Sequence, residues 1–245
     1  MRSRTRTQEQ EERPVPTGVI TGIAAAGRRA GRFEIAVDGK TAALVSVDIV
    51  DRLGLRIGLV LDERAGRALR DAADMLATYD RAIGLLAVQG RSARDLERNL
   101  KQRGEPAANV SAAIDRLTEA GLIDDATYAR QLARSRVSGR GDSRRRVSQV
   151  LAQKGVARDV VQDAVAEVFE DEAVDEEALA ESAGRKKLRS LVGLDPAARR
   201  RRLYGYLARR GHDGDVIRRV MARVLEGGDG DEPLDALEGE DDAVE

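Results

Sequence analysis

Three segments of the 245-residue chain share the pattern L-x-x-[KR]-G: Leu100–Gly104, Leu151–Gly155 and Leu207–Gly211, with glycines 51 and 56 residues apart. Four residues before each leucine stands another aliphatic: Leu96, Val147 and Leu203. Six, ten and thirteen residues beyond the glycines come Val110, Ile114, Leu117; then Val161, Val165, Val168; then Ile217, Met221, Val224. Those offsets lay an apolar stripe on each of two successive helices. The glycine ends the first helix in the left-handed conformation, and the basic residue before it suits the negative end of the helix dipole. A period near fifty residues constrains the fold more than any other feature of the chain.

Each repeat has room for an upstream helix, over 64–89, 124–138 and 175–191. Ser92 is placed to cap the second helix of repeat one, Asp142 or Ser143 that of repeat two, and Asp195-Pro196 that of repeat three. The last start lies one turn further from its glycine and predicts a longer helix. Ahead of the repeats, Val19, Ile20 and Ile23 suggest a strand, and Phe33, Ile35 and Val37 alternate with Glu34, Ala36 and Asp38 as a half-buried strand does. Asp38-Gly39 supplies a tight hairpin turn. Thr41 to Val45 returns, Leu59 to Leu61 adds a short strand, and no strand signal follows Asp62. The expected fold is mainly α: three tandem three-helix repeats in an elongated curved array, preceded by a small β module. Its boundaries are 1–16 disordered, 17–61 β module, 62–121, 122–171 and 172–226 for the repeats, and 227–245 an acidic disordered tail.

Composition closes off most chemistry. Without cysteine there are no disulfides, thiolate metal sites or cysteine nucleophiles. One histidine excludes a two-histidine metal site. Six aromatics without tryptophan argue against a carbohydrate cleft or a stacking platform. Charge-free apolar stretches such as Ala82 to Gly90 are far too short for a bilayer span, and residues 1–16 lack an apolar signal core, so a cytoplasmic location is expected. No cofactor is implied.

The sharper motifs resolve into structural roles. Gly39-Lys40-Thr41 resembles the end of a phosphate loop, but Glu34 stands where its first glycine belongs and the segment sits in a hairpin. Arg140-Gly141-Asp142 reads as a loop entering a helix. Asp124-Asp125 has no further ligand nearby and reads as a helix cap rather than a metal pair. His212 follows the Gly211 turn, where a surface or boundary histidine is expected. Tyr128, Tyr204 and Tyr206 are expected to pack between helices rather than stack on bases.

The basic residues are less easily absorbed. Ten acidic residues and no basic ones fall between Glu226 and Glu245, so the remaining 225 residues carry a net charge of +9. Arg144, Arg145 and Arg146 open one helix, and Arg199, Arg200, Arg201 and Arg202 occupy the equivalent helix of the next repeat. Arg140 precedes the first run, while Arg185, Lys186, Lys187 and Arg189 lie between the two. Cations early in a helix oppose its dipole, which points to a polyanion or an acidic protein surface as partner. The acidic tail either competes with that partner for the basic body or serves solubility.

The helix–glycine repeat, Gly121-Leu122-Ile123-Asp124-Asp125 with Tyr128-Ala129, Gly141-Asp-Ser-Arg-Arg-Arg-Val147 and Leu151-Ala-Gln-Lys-Gly155-Val156 resemble the RecX regulators of the recombinase RecA. Arg91-Ser92 ahead of Leu96 and Leu100 resembles that family's first-repeat signature. The resemblance covers residues 62 to 226, and the β module is similar to the amino-terminal extension of some members. His212 stands where the family usually has phenylalanine, and the acidic tail falls outside the resemblance. The resemblance implies a protein without catalytic residues that binds the groove of the RecA–single-stranded-DNA filament. It implies inhibition of ATP hydrolysis, strand exchange and coprotease activity, in DNA recombination, repair and the SOS response. The residues alone also allow a freestanding DNA-binding protein, because tandem three-helix units can place helices in major grooves.

Overall fold

A computed structural model of the chain describes residues 14–27 and 30–226. Residues 1–13 of the leading segment and the acidic segment 227–245, both expected to be disordered, lie outside the described residues. Strands β1 (Gly18–Ala25), β2 (Arg32–Val37), β3 (Lys40–Ser46) and β4 (Val60–Leu61) form one antiparallel sheet in the order β3-β2-β1-β4. Asp38 and Gly39 both take positive φ, 46° and 76°, the requirement of a type I′ hairpin turn. The Gly39-Lys40-Thr41 motif therefore belongs to a hairpin. A short helix, α1 (Val47–Arg52), follows β3 where no helix was expected. Ile49 packs into the sheet core with Val50 and Leu53 beside it, so tertiary burial overrides local β preference.

Helix α2 (Glu63–Val88) starts at Asp62, whose carboxylate accepts from the Ala65 amide at 2.7 Å. The helix serves two cores. Its first half sets Leu69, Ala72 and Leu76 against Ile20, Ile35 and Val45 of the sheet, and its second half contributes Ala82 to the first repeat. Val15 and the Pro16 backbone lie against Gly66 of α2, where a Cβ would collide with both.

The remaining helices are α3 (Ala93–Gln102), α4 (Ala107–Glu119), α5 (Asp125–Arg140), α6 (Arg144–Gln153), α7 (Arg158–Asp171), α8 (Glu176–Arg189), α9 (Pro196–Arg209) and α10 (Gly214–Glu226). Helix α9 has 14 residues against ten in α3 and α6, the extra turn expected from Asp195-Pro196. Leu96, Leu100, Val110 and Leu117 form the core of the first repeat, and Leu203, Leu207, Ile217, Met221 and Val224 that of the third. In the second, Val147, Leu151, Val161, Val165 and Val168 are all buried. Among the described residues no strand follows Leu61.

The repeat signature is a Schellman turn. The Gly104 amide donates to Lys101 O at 3.0 Å and the Glu105 amide to Leu100 O at 3.2 Å; Gly211 and His212 repeat this on Ala208 and Leu207, at 3.0 and 3.4 Å. Gly104, Gly155 and Gly211 have φ of 81°, 81° and 83°, which glycine tolerates without a Cβ penalty. The leucine thus supplies the carbonyl that the turn closes on. The residue after each glycine, Glu105, Val156 or His212, is buried in all three repeats.

The chain divides into two compact units. The first runs to Tyr128 and includes Lys154–Val156; the second comprises 129–153 and the chain from Ala157 onward.

Candidate nucleic-acid interface

Within the first unit, the Lys154–Val156 turn is seated on the start of α3. Ser92 caps α3 by accepting from the Asp95 amide at 3.1 Å, and its hydroxyl donates to Lys154 O. A Cβ at Gly155 would lie 2.7 Å from Arg94 Cβ, so glycine is required for closeness as well as for φ. Asp95 is buried and gathers Arg91 at 2.9 Å, Lys154 at 3.8 Å, and Arg98. Burial pushes the Asp95 carboxyl up, but these cations outweigh it and hold it below the usual carboxylate range. The two aspartates of the metal-like pair are caps: Asp124 accepts from the Ala126 and Thr127 amides at 2.9 and 3.0 Å, and Asp125 from the Ala93 amide of α3 at 2.8 Å.

Within the second unit the same arrangement recurs at the start of α6. Of the two candidate caps, Ser143 fills the role, accepting from the Arg146 amide at 3.3 Å. Its own amide donates to Arg210 O at 2.9 Å. A Cβ at Gly211 would lie 2.6 Å from Ser143 Oγ and 2.8 Å from Arg146 Cβ. The negative end of α9 thereby meets the positive end of α6. Arg145 Nε donates to Gly211 O at 3.2 Å, so the electrostatic cost of an arginine in the first turn of α6 is offset by the docked carbonyls. Asp142, beside the cap, is buried and paired with Arg136 at 2.7 Å.

His212 is buried, at 3% exposure, rather than at the surface or boundary where the sequence put it. It follows a left-handed residue that turns the chain inward, into a position that favours an apolar contact with the helix's last turn. Its Nε2 lies 2.9 Å from Gly141 O and donates to it. Nδ1 is buried without a partner among the described residues. Burial pushes the imidazole pKa down, against smaller upward pulls from the Gly141 carbonyl, Glu176 and Asp142.

The arginine runs are dispersed by helix geometry. Arg145, Arg146 and Gln149 of α6 line one groove of about 530 Å³ with Ala208, Arg209 and Gly211. Arg209 was absent from the sequence candidates because it stands in a pair with Arg210 and not in a longer run; its place inside the repeat signature marked it, once the signature is known to dock on the start of α6. Arg146 also donates to Gln149 at 2.7 Å. Arg144 stacks over the Phe169 ring at 4.6 Å. Arg140 is exposed, and its carbonyl accepts from Arg210. Arg185, Lys186 and Arg189 line a separate cleft along α8, where Arg185 pairs with Glu181 at 2.7 Å. Lys187 turns instead to the Tyr206 ring at 5.6 Å. On α9, Arg199 is half-buried with Nε unpartnered among the described residues, while Arg200, Arg201 and Arg202 are exposed. Tyr128 is half-buried and Tyr206 lies under Lys187 and Arg210, but Tyr204 is 45% exposed and does not pack between helices as expected. Its position on α9 flanks the Leu203–Leu207 stripe rather than lying within it.

Comparison with known proteins bears on this geometry. The family models described as RecX, second three-helix domain, and RecX, third three-helix domain, match residues 124–165 and 175–221. A Regulatory protein RecX of Thermobifida fusca is 36% identical over 144 residues, 59% of this chain and 76% of that protein. One of Mycobacterium avium is 38% identical over 144 residues, 58% of this chain and 82% of that protein. A crystal structure of a regulatory protein RecX superposes with a TM-score of 0.62 at 25% identity, covering 85% of this chain and 98% of that one.

Proposed function

The chain belongs to the RecX family of regulatory proteins, and from that premise we propose that it restrains RecA by binding the RecA–single-stranded-DNA filament. In this reading it slows ATP hydrolysis and strand exchange, acts in the cytoplasm alongside RecA, and has no catalytic residue of its own. Among the described residues no helix is long and apolar enough to cross a membrane. The observation that carries the reading is the groove at the Gly211 turn, where Arg145, Arg146 and Arg209 converge on one concave surface. Among the described residues no carboxylate lines it, so a filament phosphate or an acidic side chain of the recombinase can take the place of a counterion. The exposed cations Arg140, Arg200, Arg201 and Arg202 and the α8 cleft extend the positive surface of the second unit.

The test is RecA's DNA-dependent ATPase rate with and without the protein. Substoichiometric amounts should slow hydrolysis on single-stranded DNA. An unchanged rate with excess folded protein would overturn the reading, and tight DNA binding without any effect on RecA would make the chain a freestanding DNA-binding protein.

A further inference from the structure

Five of the six aromatic rings in the chain are covered. Arg116 lies over Tyr79, Arg144 over Phe169, and Lys187 and Arg210 over Tyr206. Phe33 packs on the sheet core, and Tyr128 is half-buried. Tyr204 alone is exposed, and no cation covers its ring among the described residues. It sits near the middle of α9, a helix of 14 residues with five arginines and no acidic residue. Arg200 and Arg201, four and three residues earlier, share its helix face and are exposed. Ala208, four residues later on that face, lines the basic groove with Arg209. The stripe from Arg200 through Tyr204 to Ala208 spans about 12 Å of helix.

A bare ring one helical turn from two exposed arginines, on a helix face whose next turn reaches a cationic groove, matches what single-stranded nucleic acid needs: a π-face for a base and positive charge nearby for its phosphates. An acidic protein surface would use the arginines and leave the ring without a role. We propose that Tyr204, with Arg200 and Arg201, is a stacking site for an unpaired base of single-stranded DNA whose backbone continues into the groove at Arg145, Arg146 and Arg209. The site deepens the filament-binding reading and rests on it, since it gives the protein a direct hold on the strand.

The experiment measures binding of full-length protein to a fluorescent oligo-dT strand and to an abasic strand of equal length, without RecA. Tyr204→Ala should weaken oligo-dT binding about 5- to 150-fold, the range of one base–aromatic stack. Abasic-strand binding should stay unchanged, and Tyr204→Phe should bind oligo-dT as the wild type does. Because Tyr204 lies outside the core, circular dichroism should show unaltered helix content for both variants. Three results overturn the site: wild-type affinity in Tyr204→Ala, equal loss on both strands, or a Tyr204→Phe variant as weak as the alanine one. A Tyr204→Ala variant that keeps oligo-dT affinity but no longer slows RecA would show that the face meets protein instead. The RecA ATPase assay on wild-type protein reads the parent proposal separately, so inhibition without oligo-dT binding refutes only the stacking site.

Discussion

At the Gly155 turn, the receiving helix carries a buried carboxylate, Asp95, three residues after its capping serine, and Arg91, Arg98 and Lys154 gather on it. At the Gly211 turn the position three residues after the capping serine holds Arg146, which lines an open groove with Arg145 and Arg209. The backbone is alike in both places: a left-handed glycine, a carbonyl before it accepting from the serine, and no room for a Cβ. The difference teaches where structure stops and binding begins. Where a buried acid is supplied, the cations gather on it and hold the repeats' ends in place. Where it is replaced by arginine, similar cations are left facing solvent and become available to an outside anion.

If the two turns share one architecture, damage to their common core should cost the same at each. Leu151→Ala and Leu207→Ala, both fully buried, should each destabilise by about 2–5 kcal/mol. Chemical denaturation checks this, and an unmoved midpoint for either would break the equivalence. The comparison is sharpened by Asp95→Asn, which should cost about 2–3 kcal/mol because it strips a buried carboxylate from cations that are themselves partly solvated. Arg146→Gln, at the matching position, should leave the denaturation midpoint within about 0.5 kcal/mol of wild type, as a partly exposed substitution does. Similar losses at both positions would mean that the two turns do not differ in the way described.

His212 distinguishes the turns a second way, since Val156 fills its place at the first. Its folded pKa is depressed by burial, so the unfolded chain takes up its proton first as pH falls. Stability from the neutral ring is complete above the unfolded value of about 6.5 and is lost as pH drops from there through the lower folded value. His212→Phe should flatten the melting temperature across that window while leaving it unchanged or higher at pH 8. A parallel decline in both proteins would place the titrating group elsewhere.

How much of this was legible in the sequence follows from how local each cause is. The Schellman glycines, the caps at Ser92, Asp124 and Asp195 and the hairpin at Asp38-Gly39 depend on a few neighbouring residues, and all could be read. Helix α1 could not, because Ile49 and Val50 are helical only against a sheet formed by strands earlier in the chain. The groove was half visible. Arg145 and Arg146 stood out as a run, but Arg209 joins them only because a turn sixty residues away docks on α6. The same docking buries His212, which no single helix encodes.

The most direct test of the account is the salt dependence of binding to the RecA–single-stranded-DNA filament, wild type against a variant carrying Arg145→Gln, Arg146→Gln and Arg209→Gln. Three lost phosphate contacts should weaken binding and reduce the slope of log K against log salt by about 2, at roughly 0.7 per contact on a single strand. The thermal midpoint, measured alongside, separates lost contacts from lost fold. A folded variant that binds the filament with wild-type affinity and an unchanged slope would contradict the claim that the Gly211 groove is where this protein meets its anionic partner.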